Sequence, residues 1–327
     1  LVALEDLGYN IDDLTSIFGD YLVSLGEYNG KHYGIPTNVN FKSAIWYNVP
    51  AWDSAGYTPP ETWADMIALS DKMVQDGNTP WCVGFGSEAA TGWPGTDWME
   101  NIVLRQSGPD VYDQWVTNEV KFTDQPIMDA GKTFGDLLFG DNDQFVLGGA
   151  AQVPSIDFRD APDPMFNDPP SCYMTGLWTF ITNFFPEGVT ALEDYNFFPF
   201  PTIDGNGGAL IGGELAGVLN NRPEVLDFVK RFVSKDVQCA QGSIEGIARI
   251  SPNIEVGSDC YRDQLIGQAA DTITAALSDG TARFDASDLM DPAVGQGTFW
   301  QAMIDYATGG PDSLQAAMEK AQSGFSG

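Results

Sequence analysis

Short apolar segments alternate with amphipathic segments along the chain, and this pattern predicts strands that alternate with helices. The stretch Ser43–Asn48 is rich in β-forming residues and predicts a strand. A helix is predicted to open at Thr58–Thr62 and to stop at Gly77, because apolar residues recur between them at helical spacing. Cys82–Phe85 predicts a second, buried strand. Such alternation is typical of an α/β protein.

Breaker residues define the elements of the second half of the chain. Asp160–Pro170 predicts a loop, and Asn196–Pro201 predicts an extended segment because each proline biases its predecessor away from helix. Leu210–Asn220 predicts a strand whose small residues allow a close approach, either of two backbones or of a backbone and a ligand. A helix is predicted to start with Asn221 as its N-cap and Pro223 in its first turn. A last helix is predicted to present one apolar face, formed by Leu314, Ala317, Met318 and Ala321.

Length, composition and charge restrict the classes of protein that fit this pattern. The 327 residues favour about two domains, and a hydrophobic fraction of 43% excludes intrinsic disorder. No apolar stretch is long enough to predict a membrane span. The net charge of −31 repels phosphate backbones, so no nucleic-acid partner is expected. The same charge disfavours anionic lipid surfaces and anionic ligands, and it favours neutral or cationic ones.

The four cysteines predict two disulfides and therefore an oxidising compartment. None of them stands in the spacing of a zinc or thioredoxin-type motif, so no metal site is expected. Cys239 with Cys260 would close a short loop, which leaves Cys82 with Cys172 as the other pair. Four buried free thiols are the alternative, and the connectivity stays open.

Sequence motifs for catalysis or for cofactor binding are missing. The single histidine, His32, lies in a turn before a predicted strand and is not expected to form a catalytic triad. The sequence contains no Walker motif, no GxSxG and no dinucleotide-binding glycine motif, so we expect no cofactor. Carboxylates are abundant, which keeps a glycoside-cleaving pair open as an alternative.

Tryptophans in glycine- and proline-rich segments are the strongest indication of a binding site. They occur in Thr91–Trp98, in Gly176–Trp178 and in Gly297–Trp300. Because such turns give an indole little to pack on, these side chains would make flat walls for a sugar. The C–H face of a sugar covers an aromatic ring while its hydroxyls reach polar groups. Ordinary core packing is the alternative for each tryptophan.

Several of these segments resemble a known family. Tyr33–Asn48, with Tyr-Gly-Ile-Pro followed by Trp-Tyr-Asn, and Pro59–Trp63 resemble the extracellular solute-binding proteins of carbohydrate ABC importers, the maltose-binding-protein-like group. Ser87–Trp98, Arg283–Met290 and Gly297–Trp300 are similar to the α-glucoside branch of this group. The resemblance runs from about residue 1 to the end of the chain.

The resemblance implies a two-lobed α/β fold of the periplasmic-binding-protein type II, in which the N-terminal part of lobe 1 is missing from this chain. Lobe 1 would comprise residues 1–38 and 212–285, and lobe 2 residues 39–211 and 286–327. A sugar held between the lobes would close them by hinge rotation. The protein would work outside the cytoplasm as a monomer, in the periplasm or as a cell-surface lipoprotein, with its signal segment outside this chain.

The resemblance also implies a function without catalysis. The protein would capture an α-glucoside such as maltose, trehalose or sucrose, or a gluco-oligosaccharide, and deliver it to the ABC permease. The tryptophans would stack on the sugar, and the polar residues would bind its hydroxyls. The ligand-binding residues so assigned are Asn40, Lys42, Glu88, Trp93, Asp97, Trp178, Gly213, Glu214 and Trp300. The alternatives are the same fold with a polyol, polyamine or peptide ligand, and a glycoside-cleaving enzyme.

Overall fold

The computed structural model describes residues 1–244 and 246–326 and shows a mixed α/β protein, as the sequence predicts. The strands are β1 (Glu27–Tyr28), β2 (Lys31–His32), β3 (Ile35–Phe41), β4 (Ala44–Asn48), β5 (Met174–Gly176), β6 (Tyr195–Pro199), β7 (Ala209–Ala216) and β8 (Ala282–Phe284). The helices are α1 (Ile11–Phe18), α2 (Asp20–Ser24), α3 (Val49–Ala55), α4 (Trp63–Gln75), α5 (Trp93–Val116), α6 (Gln125–Leu138), α7 (Gly140–Asp143), α8 (Pro223–Phe232), α9 (Lys235–Gly242), α10 (Gln264–Ser278), α11 (Ala286–Leu289), α12 (Trp300–Gly309) and α13 (Leu314–Ser323).

The chain divides into two compact units. Unit 1 comprises Leu1–Phe41 and Ile211–Ala282, and unit 2 comprises Lys42–Leu210 and Arg283–Gly327. The chain therefore passes from one unit to the other at the end of β3, within β7 and within β8. The lobe boundaries inferred from the family resemblance stay a prediction.

In unit 1, β3 and β7 are antiparallel neighbours, and β3 is buried along its whole length. Val39 pairs with Gly213, and Asn40 pairs with Gly212. A side chain at position 213 would collide with the backbone carbonyl of Asn38. Position 213 therefore requires a glycine because two backbones approach closely there. The sequence left open whether the small residues of this strand allow the approach of a second backbone or of a ligand.

Helix α8 begins one residue later than the sequence predicts. Its N-cap is Arg222, whose φ of −125° and ψ of 142° are extended, and not Asn221. Pro223 takes the first helical position, where its fixed φ is suited to a helix. Its lack of an N–H costs nothing there, because the N–H at this position has no partner within the helix.

In unit 2, β4 is the central strand of a three-stranded sheet and pairs antiparallel with β5 and β6. The predicted strand at Ser43–Asn48 is thus confirmed as β4. The prediction of a strand at Cys82–Phe85 is wrong. Cys82 N bonds to Met174 and Phe85 N to Val153, and single bonds to two different segments do not form a ladder.

The Gly-Trp-Pro-Gly-Thr-Asp-Trp block starts a long helix, whereas the sequence predicted a turn. Gly92 is the N-cap of α5, with φ of 114°, and Trp93 is its first residue. Pro94 lies in the first turn, where a helix needs no backbone N–H bond. The helix carries Asp97 into the interior of unit 2, where it is 6% exposed.

Two disulfides are present, as the sequence predicts. Cys82 is joined to Cys172 in unit 2, and Cys239 is joined to Cys260 in unit 1. Among the helices of residues 1–244 and 246–326, none is sufficiently long and apolar to cross a membrane.

Candidate functional site

A cluster of four charged side chains lies in the interior of unit 2, and we call Lys42, Asp97, Glu100 and Asp285 the ion cluster. The side chain of Lys42 is completely buried. Its ammonium donates to Asp97 Oδ1 at 2.8 Å and to Asp285 Oδ2. One positive charge therefore lies among three acidic groups, in a region where an unpaired charge would be very costly.

The start of α11 and the interior of α5 position the acidic groups of the ion cluster. Asp285 is the N-cap of α11 and accepts from the Asp288 backbone N–H at 2.8 Å and from the Ser287 hydroxyl at 2.6 Å. Glu100, on α5, accepts from the backbone N–H of Ser287 at 3.1 Å. The start of α11 is therefore built around carboxylates, which a helix N-terminus favours.

Burial and mutual charge shift the pKa values in the ion cluster. Desolvation raises the pKa of Asp97 to about 7 even though the Lys42 ammonium opposes it, with Asp285 adding to the rise. Desolvation and Asp285 also raise the pKa of Glu100. Burial alone would raise the pKa of Asp285, but Lys42 outweighs it and the pKa is lowered. Asp285 is thus the carboxylate that stays ionised beside the lysine.

The carboxylate oxygens of Asp97, Glu100 and Asp285 lie within 4.8 Å of one another, a spacing that could hold a metal ion. The Lys42 ammonium is bonded to two of these groups and supplies the positive charge there. An adjoining cavity, lined in part by Lys42 and Asp97, has a volume of about 10 Å³. Such a cavity has room for about one water molecule and none for a sugar ring.

Trp178 joins the ion cluster to the more open part of unit 2. Its indole Nε1 donates to Asp97 Oδ2. The Lys42 Nζ lies 3.4 Å from the centre of the Trp178 ring, within the range of a cation–π contact. Trp178 itself is only partly buried, in contrast to the two charged residues that it contacts.

Five aromatic side chains pack against one another without being fully buried, and we call them the aromatic cluster. The ring centres of Trp93 and Trp178 are 5.4 Å apart, and both rings contact Phe180. Phe184 is 41% exposed and the others are partly buried. The members of the aromatic cluster are Trp93, Phe158, Trp178, Phe180 and Phe184.

Charged side chains lie beside the aromatic cluster. The Arg159 guanidinium forms two hydrogen bonds with the Asp157 carboxylate and lies 5.5 Å from the Phe158 ring centre. The Glu88 side chain is 87% exposed and lies 4.0 Å from Arg159. Glu88 has a φ of 51°, a left-handed conformation that residues other than glycine rarely adopt. Glu88 and Arg159 therefore offer an acceptor and a donor next to exposed rings.

Trp300 is the first residue of α12 and is partly buried. A side chain at position 92 would collide with its backbone carbonyl, so Trp300 lies next to the start of α5. Its indole Nε1 is buried and has no hydrogen-bond partner among the described residues. Trp300 therefore belongs to the same region as Trp93, although no ring contact joins the two within the described part of the chain.

The other predicted ligand-binding residues lie in unit 1. Asn40 is buried on β3, at 6% exposure. Glu214, on β7, has an exposed side chain that lies 3.3 Å from Arg249. Gly213 lies on the same strand against Asn38. The roles of these three residues in binding stay a prediction.

Several members of both clusters are not among the residues predicted from the sequence. Glu100 is one of them, although its place one helical turn after Asp97 follows from a helix through this block. Asp285 occurs in one of the segments that carry the family resemblance, but the local sequence does not distinguish it from Asp288 in the same segment. Phe158, Phe180 and Phe184 lie in segments without a regular hydrophobic period, so only the tertiary structure brings them together.

Comparison with known proteins agrees with the fold. Residues 1–238 match the family described as bacterial extracellular solute-binding protein. The chain is 39% identical over 311 residues to the alpha-glucosides-binding periplasmic protein AglE of Rhizobium meliloti (strain 1021), and it covers 66% of the length of that relative. The match includes 91% of this chain. The chain thus spans about two thirds of AglE.

A second relative and a solved structure extend the comparison. The osmoprotective compounds-binding protein GgtB of Synechocystis sp. (strain ATCC 27184 / PCC 6803 / Kazusa) is 35% identical over 306 residues, with 93% of this chain and 70% of that protein covered. A chitin oligosaccharide binding protein superposes with a TM-score of 0.74 at 20% identity, covering 99% of this chain and 77% of its own. At this identity the structural likeness concerns the fold.

Proposed function

Because the chain belongs to the bacterial extracellular solute-binding proteins, we propose that it binds an α-glucoside or a short gluco-oligosaccharide outside the cytoplasm and delivers it to an ABC permease. The two compact units would be the two lobes of this binding protein. The 39% identity to a protein named for α-glucosides supports this substrate class. The proposal includes no catalysis, since the relatives are binding proteins.

The observation that carries this proposal is the aromatic cluster. Its rings are partly exposed, in contrast to large aromatic side chains that are fully buried, such as Trp46, Trp81 and Trp115. An exposed group of rings with a few polar neighbours is typical of an interaction site. A sugar would lay its C–H face on Trp93 or Trp178 and bring its hydroxyls to polar side chains nearby.

Glu88 and Arg159 are the polar groups best placed for the hydroxyls. Both are substantially exposed, and their side chains lie 4.0 Å apart. A carboxylate accepts from a hydroxyl, and a guanidinium donates to two acceptors at once. Asp157 holds the guanidinium in one orientation, which reduces the conformational entropy that binding must remove.

An osmoprotective compound is the second candidate ligand, because a relative named for such compounds is 35% identical over most of the chain. A polyol would use the same hydroxyl-binding groups with less contact to the rings. A polyamine is less suited to the aromatic cluster, because Glu88, an exposed carboxylate beside it, is already close to the Arg159 cation.

Isothermal titration calorimetry of the complete natural protein tests the proposal. The panel is maltose, trehalose, sucrose, maltotriose, sorbitol and spermidine, followed by chromatography of each mixture for cleavage products. We expect saturable heat with at least one α-glucoside, none with spermidine, and unchanged sugar afterwards. No binding by any sugar would refute the proposal, and release of glucose would favour the enzyme alternative.

A further inference from the structure

The side chain of the buried lysine of the ion cluster has no exposed surface that a ligand of the aromatic cluster could contact. Lys42 has no exposed side-chain surface, and the cavity beside it holds about 10 Å³. Its ammonium is engaged by Asp97 and Asp285. A sugar hydroxyl could reach this nitrogen only by displacing a carboxylate, at a high cost in electrostatic energy.

Lys42 does, however, contact the partly exposed Trp178 in two ways. Directly, its nitrogen lies 3.4 Å from the centre of the indole ring. Indirectly, it fixes the Asp97 carboxylate, whose other oxygen accepts the bond from Trp178 Nε1. A planar ring that is held through both its edge and its face has little freedom to rotate.

We propose that Lys42 is a positioning residue, which fixes the Trp178 indole through Asp97 and through its own contact with the ring, and which does not itself bond the ligand. The inference rests on the proposed function for the identity of the ligand. It gives Asp97 the same indirect role. If the Trp178 ring is already ordered before binding, the affinity is not reduced by the entropic cost of ordering it.

The carboxylates around Lys42 explain why the positioning group is a lysine. Asp285 is held by α11 and Asp97 by α5, so the ammonium has fixed acceptors in two elements. Asn101 adds a third support, since its side-chain amide donates to the Lys42 carbonyl at 3.1 Å. The cation beneath the ring is therefore itself fixed in position, whereas a surface lysine would move.

The test is a double-mutant cycle on sugar affinity in the complete natural protein, with the α-glucoside of the panel that binds most tightly. Lys42→Met removes the charge and keeps the length of the side chain. We expect it to weaken binding by about tenfold in the presence of Trp178 and by less than about twofold in a Trp178→Ala background. Equal losses in both backgrounds, or no loss beside Trp178, would overturn the inference.

A spectroscopic measurement separates the inference from the proposed function, because it needs no ligand. The near-ultraviolet circular dichroism of wild type minus that of Trp178→Phe isolates the signal of a rigidly held indole 178. We expect this difference signal to collapse in the Lys42→Met background. If it persists there, the inference fails, even if sugars bind. If no sugar binds but the signal collapses, only the proposed function fails.

Lys72 provides a matched control, since its ammonium lies 5.6 Å from the Tyr57 ring centre in the same unit but its side chain is 55% exposed. Lys72→Met should change neither the affinity nor the difference signal. If Lys42→Met fails to fold, Asp97→Asn takes its place in both measurements. It weakens the indirect connection through Asp97 while preserving the shape of the side chain and the direct contact of Lys42 with the ring.

Discussion

The Trp178 indole donates its N–H to Asp97, so a partly exposed aromatic ring is bonded directly to a carboxylate that is 6% exposed. This bond connects the two clusters of unit 2. On one side of it lie the rings that we expect to face a sugar, and on the other lies the Lys42 ammonium. We therefore expect the buried pair of Lys42 and Asp97 to hold the Trp178 ring in place at the surface that would bind the sugar.

The aromatic cluster should contribute to binding more than to stability. We expect Trp93→Ala and Trp178→Ala each to weaken sugar binding by about 1–3 kcal/mol, the effect of losing a central aromatic contact. Their melting temperatures should fall little, because both rings are partly exposed. Calorimetry and thermal unfolding measure the two effects.

Trp115→Ala is the control for those variants, because Trp115 is fully buried in the core of unit 2. It should lower the free energy of unfolding by about 3–5 kcal/mol. Trp300→Ala should behave like the first two variants, as the family resemblance implies. If Trp93→Ala or Trp178→Ala unfolds as readily as the control, that residue is a core residue.

Gly92 should tolerate no side chain. Its φ of 114° is unfavourable for other residues, and a Cβ there would collide with the Trp300 carbonyl. We expect Gly92→Ala to cost about 3 kcal/mol or more of stability and to weaken sugar binding by displacing Trp93. Urea unfolding and calorimetry report these changes.

Gly56→Ala is the matched control, since Gly56 also has a positive φ, of 70°, but no atom lies within 4 Å of the place that a Cβ would take there. It should cost only the backbone strain, about 1–2 kcal/mol. Equal losses in both variants would show that the contact with Trp300 contributes nothing.

The sequence predicted the regular elements well where one hydrophobic period continues without breakers. Helix α13 buries Leu314 and Met318, and β4 lies where β-forming residues cluster. The sequence failed at the start of α5, because Pro94 and the glycines look like breakers when they are read one at a time. In the first turn of a helix, however, a proline is favourable.

The candidate site was harder to predict, because its order comes from contacts between distant segments. Lys42 and Asp285 are 243 positions apart, and their pairing has no signature in the local sequence. A lysine after a strand is usually exposed, so the sequence predicts direct contact of Lys42 with a ligand, whereas we propose a positioning role for it. Only the fold shows that three acidic groups enclose it.

The two disulfides should differ in their contributions to stability. Cys82–Cys172 spans 90 positions and Cys239–Cys260 spans 21. In the chain-entropy model the longer loop stabilises by roughly 4–5 kcal/mol and the shorter by about 3 kcal/mol. Paired Cys→Ala variants, compared by urea unfolding, should reproduce this order, and the reverse order would contradict the loop argument.

The ion cluster should make stability depend on pH. Burial raises the pKa of Asp97 from 3.8 to about 7, so the folded protein holds a proton that the unfolded chain has lost between these values. The contribution of protonated Asp97 to the free energy of unfolding is therefore complete below about pH 3.8, and it is lost as the pH rises to about 7. Between these values the free energy of unfolding should fall with rising pH.

Asp97→Asn tests this pH dependence, because an amide does not titrate. Urea unfolding at several pH values should give a shallower slope between pH 4 and pH 7 in the variant than in wild type. An unchanged slope would mean that Asp97 does not titrate in this range.

We propose that the aromatic cluster of unit 2 binds an α-glucoside. Calorimetric titration of the complete natural protein beside its Trp93→Ala/Trp178→Ala double variant, with maltose, trehalose and sucrose, measures this binding. We predict saturable binding of at least one of these sugars by wild type, and an affinity reduced by about a hundredfold or more in the double variant. If the wild type binds none of them, or if the double variant binds as tightly as wild type, the aromatic cluster is not an α-glucoside site.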